Sequence, residues 1–256
     1  MREKISLKLK EIEKREGIEI FYAAESGSRA WGFAAKDSDY DVRFLYLRPR
    51  DWYLKIKPGK DTIEILAEGQ LDISGWDLKK AFLLFANSNP PLYEWLVSPV
   101  VYEEEGTLAQ ELRSLAFKSY SLWSCLYHYL HIAQNNYRNY LLGDEVKIKK
   151  YFYALRPLLA CFWIKEKNSL PPMEFDKLLG VKKIDSKVLE QIKNLLIRKR
   201  NGEELGVEKR NQVLNSFIED GIKNVEDFAG EINSSRKASF KQLDGLFLKA
   251  LDEYRV

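Results

Sequence analysis

Apolar residues recur along this chain in two rhythms, and the change from one to the other divides it. Near the N-terminus Ile5, Leu9 and Ile12 fall at helical spacing among Lys and Glu. That spacing predicts an amphipathic helix over residues 3–16, ended by Gly17. Residues 18–24 form a short apolar run that reads as a strand, and residues 29–33 read as a short helix after a Gly-Ser turn. Residues 41–47 read as a second strand, closed by Pro49. Between 52 and 74 the pattern predicts strands separated by turns at 57–60 and near Gly69. There Gln70, Asp72 and Ser74 alternate with Leu71 and Ile73, as in a half-buried strand with one polar face. Asp77 stands where an N-cap belongs, before a helix through Phe85 that residues 87–91 break.

Past residue 106 helical spacing takes over. Residues 108–142 read as two helices with Gly143 as the stop, and Asp144 as the cap of a helix reaching about Lys167. Residues 170–172, Leu-Pro-Pro, are a firm break, and 188–197, 210–218 and 240–254 read as further helices. The expected organisation is a catalytic domain over residues 1–105 and an all-helical domain over 106–256, with a sub-break near 168–175.

Composition narrows the class. A 45% share of hydrophobic residues supports a packed core and excludes overall disorder. The 41 basic residues nearly balance 38 acidic ones, so bulk charge does not mark a nucleic-acid binder and any basic surface is local. Cys125 and Cys161 lie in apolar, aromatic contexts and read as reduced, buried thiols. No apolar run approaches the roughly 20 residues of a spanning helix. The first residues lack the apolar core of a signal peptide, so a cytoplasmic protein without membrane contact is expected. His128 and His131, without Cys or Asp partners nearby, do not make a zinc site.

The chemistry concentrates in Glu25-Ser-Gly-Ser-Arg-Ala-Trp-Gly32 and Ser38-Asp-Tyr-Asp-Val-Arg43. On a strand Asp39 and Asp41 share one face, and two carboxylates so close repel unless a cation joins them. Hard divalent cations take such oxygen ligands together with substrate phosphates. Gly27 lets backbone approach a phosphate, and Ser28 offers a hydroxyl and an N–H at a helix start. Arg43 lies on the same face by the period of two, placed to bind phosphate or offset the acidic pair. Arg29 either neutralises phosphate or faces solvent. Further on, Lys149, Tyr153 and Arg156 fall on one helix face, with Lys147 and Tyr151 as an adjacent stripe and Lys150 between them. This set would stack a base and hold its phosphates; the alternative is a solvated face beside an aromatic core. Pro157 is expected to kink or break that helix. From Lys182 to Arg210 nine Lys or Arg face five Asp or Glu, which is either an RNA-phosphate contact or a solvated helix end.

Gly27-Ser28 followed by Asp39-Tyr40-Asp41 resembles the signature of the DNA polymerase β-type nucleotidyltransferase superfamily. The fuller string is similar to a group of predicted bacterial and archaeal nucleotidyltransferases described as RNA-ligase-associated. Residues 75–80, 89–99 and 151–160 extend the resemblance over most of the chain, most strongly from 25 to 160. The resemblance implies an α+β fold with a mixed sheet and flanking helices, followed by the helical module. It implies metal-dependent transfer of NMP from an NTP to an acceptor hydroxyl, releasing pyrophosphate, on two magnesium ions with manganese as the substitute. It also implies a third carboxylate beside Asp39 and Asp41. Asp72 is preferred over Asp77, which already has a capping role. An RNA end is the first acceptor; the alternatives are AMP transfer to a protein, or a nucleotide- or RNA-binding regulator without turnover.

Overall fold

In a computed structural model of the chain, the structure describes residues 1–57, 59–182, 184–203, 205–230 and 237–254. Helix α1 (Arg2–Glu16) buries Ile5, Leu9 and Ile12, and Gly17 ends it at φ 61°, a left-handed position that suits glycine. Then follow β1 (Glu19–Glu25), the single turn α2 (Ser28–Trp31), β2 (Tyr40–Leu47) and a short α3 (Arg50–Tyr53). Strands β3 (Thr62–Glu68) and β4 (Leu71–Asp77) lead into α4 (Leu78–Ala86), α5 (Pro90–Leu96), β5 (Val101–Glu104) and α6 (Leu108–Ser119). These strands form one mixed sheet in the order β3-β4-β2-β1-β5, in which β2 and β4 run parallel and the other pairs antiparallel. The α+β class with a mixed sheet is as the resemblance implies.

Helix α1 covers one face of this sheet. Its three buried aliphatics join Val42, Phe44 and Tyr46 of β2, Ile63 of β3, and Leu71 and Ile73 of β4 in one core. Residues alternate across a strand, so Asp41 and Arg43 project from the other face; α4 packs against β2 and β4, and α5 and α6 against β1. Asp77 ends β4 and caps α4: its carboxylate accepts the Lys79 N–H at 2.9 Å.

The remaining elements are α7 (Leu122–Tyr140), β6 (Glu145–Lys147), α8 (Lys150–Lys167), α9 (Phe175–Leu178), α10 (Ser186–Arg200), β7 (Val207–Lys209), α11 (Gln212–Ala229) and α12 (Phe240–Glu253). The chain groups into two compact units: Met1–Ala30 with Ser38–Tyr120 and Arg236–Val256, and Trp31–Asp37 with Ser121–Ser235. The first holds the sheet together with α6, which packs on β1, and α12, which packs on α4. The grouping therefore differs from a division at residue 105, because both helices bury apolar faces against sheet-side elements. Among its described residues the second unit holds helices and the two-stranded β6–β7 ladder.

Three local expectations are corrected. Asp144 does not cap a helix: residues 145–147 form β6, paired with 207–209, and α8 starts at Lys150 without a side-chain cap. Val146 and Ile148 are buried while Glu145 and Lys147 face out, a period of two that wins over the capping residue. Pro157 does not break α8, which runs through it and buries it. The break after α4 is shorter than residues 87–91, because the Asn89 side chain accepts the Leu92 N–H and α5 already starts at Pro90. Among the described residues no helix is long and apolar enough to cross a membrane.

Candidate active site

Glu25 ends β1 after the apolar run of residues 20–24, is fully buried, and ties two segments together. One carboxylate oxygen accepts the Asp41 N–H at 2.8 Å and the Gly27 N–H at 3.4 Å, and the other accepts the Tyr102 hydroxyl from β5 at 2.5 Å. The Ser26 N–H donates to the Asp41 carbonyl at 2.9 Å, and the Ser98 hydroxyl donates to the Glu25 carbonyl at 2.6 Å. The Gly-Ser turn is thereby fastened to the start of β2. Gly27 lies tight against its neighbour: a Cβ there would lie 1.7 Å from an Asp41 carboxylate oxygen, so the carboxylate would have to move. The sequence attributes Gly27 to phosphate approach; the structure adds the approach of Asp41. Ser28 starts α2, which is only one turn long, so its helix dipole is small.

The parallel register sets Asp41 of β2 directly beside Asp72 of β4. Between them lies Arg43: its Nη2 is 2.7 Å from Asp72 Oδ2 and 3.5 Å from Asp41 Oδ1. Its Nη1 donates to the carbonyls of Val42 and Asp72, each at 3.1 Å. Asp39 precedes the first residue of β2 and is exposed. Burial pushes the Asp41 carboxyl above the ordinary aspartate value; Arg43 opposes the shift, while Glu25, Asp72 and Asp39 add to it. Arg29 does not project into solvent. Its guanidinium stacks 3.6 Å from the Tyr40 ring centroid and donates to the carbonyls of Ser38 and Asp39. Asp77 is placed elsewhere, buried at the end of β4, where the Tyr53 hydroxyl donates to it at 2.9 Å. The pair brought together is Asp41 and Asp72.

The donor chemistry fits a hard divalent cation. Asp39, Asp41 and Asp72 offer oxygen ligands, and the four carboxylates here, Glu25 included, outnumber the guanidiniums of Arg29 and Arg43. Among the described residues no three His, Cys, Asp or Glu side chains are already gathered around a metal position. The place between Asp41 and Asp72 is held by Arg43.

In the helical unit the face Lys149, Tyr153, Arg156 and the adjacent stripe Lys147, Tyr151 are not both carried by one helix. Lys147 belongs to β6, and Lys149 precedes α8 and is exposed. Tyr151 is core, its hydroxyl donating to Asn215 and accepting the Asn211 N–H. Arg156 is buried, donating to the Met173 carbonyl, and lies 4.6 Å from the Trp31 ring centroid. Tyr153 is exposed, with the Lys150 ammonium 5.1 Å from its ring centroid. In the basic segment Arg198 pairs with Glu203 and Glu208, and Arg200 pairs with Asp176. Those two guanidiniums already have carboxylate partners.

Glu25 and Tyr102 are the site residues that sequence reading missed. A carboxylate directly after the apolar run of residues 20–24 was the available signal for Glu25; Tyr102 had none, since its role depends on β1–β5 pairing.

Comparison with known proteins adds a lineage to this geometry. A family model described as "RNA repair pathway DNA polymerase beta family" matches residues 1–249. The chain is 45% identical over 253 residues to the uncharacterized protein YcgL of Bacillus subtilis (strain 168), covering 99% of this chain and 97% of that one. A solved nucleotidyltransferase-like protein from Exiguobacterium sibiricum 255-15 aligns with 96% of this chain and 79% of its own, at 11% identity and a TM-score of 0.29. At that TM-score nothing about this chain is taken from it.

Proposed function

The chain belongs to the RNA repair pathway DNA polymerase β family, and from that premise we propose that it transfers NMP from an NTP to an acceptor hydroxyl, an RNA end being the acceptor. The observation that carries this reading is the register of β2 and β4, which sets Asp41 beside Asp72 and seats Gly27 against Asp41. In the proposed reaction the acceptor oxygen bonds to the α-phosphorus as the bond to the β-phosphate bridge breaks, and pyrophosphate leaves. Asp72, with its side chain half exposed, takes the proton from the attacking hydroxyl. Asp41 holds its place through the Glu25 bond to its N–H and the Ser26 bond to its carbonyl. Arg43 donates to a phosphate oxygen, and the backbone of Gly27 and Ser28 borders the triphosphate. Asp39, Asp41 and Asp72 would hold magnesium, or manganese in its place, which would stabilise charge on the attacking and leaving oxygens.

The family's description supports RNA as the acceptor class. The test is incubation of the protein with each α-labelled NTP, total RNA or total protein, and magnesium or EDTA. Label on RNA with magnesium alone is expected. Label on protein would move the acceptor to the alternative of AMP transfer to a protein. Label on neither would favour a binding regulator without turnover.

A further inference from the structure

Arg43 is the only guanidinium among the described residues seen to bridge Asp41 and Asp72, and its side chain is 18% exposed against 48% for Asp72. Its two anchors differ in kind. Nη1 rests on two backbone carbonyls, those of Val42 and Asp72, while Nη2 reaches the carboxylates. We propose that Arg43 is a resident counter-cation that keeps divalent metal from entering alone and yields the carboxylates when nucleotide arrives with it. This rests on the nucleotidyl-transfer reading above.

The argument is electrostatic. A metal ion entering between Asp41 and Asp72 meets a fixed positive charge already bound to both, and like charges at a few ångströms repel. A lysine or histidine could lose its proton and make room, but a guanidinium stays charged at any working pH. Arg43 must therefore acquire a different anion. The phosphates of an NTP supply one: Nη2 can leave Asp72 for a phosphate oxygen while Nη1 keeps its carbonyls, a small rotation rather than a refolding. Asp72 is open enough to solvent for the exchange to occur there. The acidic cluster is then never left uncompensated, first by arginine and afterwards by metal. Since coupling is reciprocal, nucleotide must tighten metal binding and metal must tighten nucleotide binding by the same factor.

Manganese is the probe, read by electron paramagnetic resonance with and without a non-hydrolysable NTP analogue, and counted above what the analogue chelates alone. Wild type is expected to bind manganese weakly by itself and roughly tenfold or more tightly with analogue, the size of a typical coupling. Arg43→Gln is expected to bind manganese alone roughly tenfold more tightly than wild type and to lose most of the coupling, within the same range. Arg43→Lys, which keeps the charge but cannot span the same four oxygens, should fall between them and serves if the glutamine variant fails to fold. Equal manganese affinity of wild type with and without analogue would overturn the inference, as would a glutamine or lysine variant no tighter than wild type. If neither wild type nor variants bind manganese even with analogue, the nucleotidyl-transfer reading fails and takes this inference with it.

Discussion

Asp72 and Asp77 stand on the same strand, yet what they touch gives them different work. Asp72 faces Asp41 and Arg43, while Asp77 spends its oxygens on the Lys79 N–H and the Tyr53 hydroxyl. Asp72→Asn is expected to lower NMP transfer by about a hundredfold or more, the lower range for removing a proton-transfer group. Asp77→Asn should leave transfer near wild type, because asparagine caps a helix as well as aspartate. Asp77→Ala should cost about 1 kcal/mol in urea unfolding through the lost cap. Gly27→Ala tests the contact that the sequence could not disclose. The added methyl collides with the Asp41 carboxylate, and a shift of about 1 Å in such a group can cost roughly a hundredfold in rate. A Gly27→Ala protein with unaltered turnover would show that the close approach is incidental. The motif residues were legible because Gly-Ser, Asp-x-Asp and the polar face around Asp72 are local patterns. Asp39 was less so: alternation puts it beside Asp41 only if the strand includes it, and β2 begins one residue later. Glu25 and Tyr102 act across strands, and no local pattern carries that.

At the scale of elements, the site depends on two parallel strands staying in register. Phe44 of β2 lies opposite Gly75 of β4, and a Cβ on Gly75 would come within 2.2 Å of the Phe44 ring. Phe44 is fully buried against α1, so its ring has little room to give. Gly75→Ala is therefore expected to destabilise the protein by about 1–3 kcal/mol, the usual cost of overpacking. It should also reduce transfer without touching a site residue, by displacing β4 and Asp72 with it. Chemical denaturation and a rate measurement on the same preparation check both. Helices with clean apolar spacing, such as α1, α4, α10 and α12, were legible for the same reason that they fold: one buried stripe each. The β6–β7 ladder was not, since three-residue strands some sixty residues apart are specified by pairing rather than by local sequence. Pro157 misled because a proline's missing N–H costs one bond, and packing that buries its neighbours Leu155, Leu158 and Leu159 outweighs it.

For the whole molecule, near-balanced charge leaves the carboxylates to set the pH response. Burial raises Asp77, Asp41, Glu13 and Glu19 above their ordinary values. A carboxyl raised by folding binds more protons in the native state than in the unfolded one just above its ordinary value. Its contribution to stability therefore falls as pH rises through that window. Asp77, buried and remote from the proposed chemistry, isolates the effect: the melting temperature of Asp77→Asn relative to wild type should rise from about pH 4 towards neutrality. A difference that shrinks over that range would refute the assignment. The two-part rhythm of the sequence foreshadowed a sheet unit and a helical unit. It did not foreshadow that α6 and α12 would group with the sheet, because the partner faces they bury lie far away in sequence.

The most direct measurement gives wild type and an Asp41→Asn, Asp72→Asn double variant one NTP labelled at either the α- or the γ-phosphate, with RNA and magnesium. Nucleotidyl transfer sends α-label to the acceptor and releases γ-label as pyrophosphate, and the double variant does neither. Transfer of γ-label to the acceptor, or α-label incorporation that survives loss of both aspartates, would contradict it.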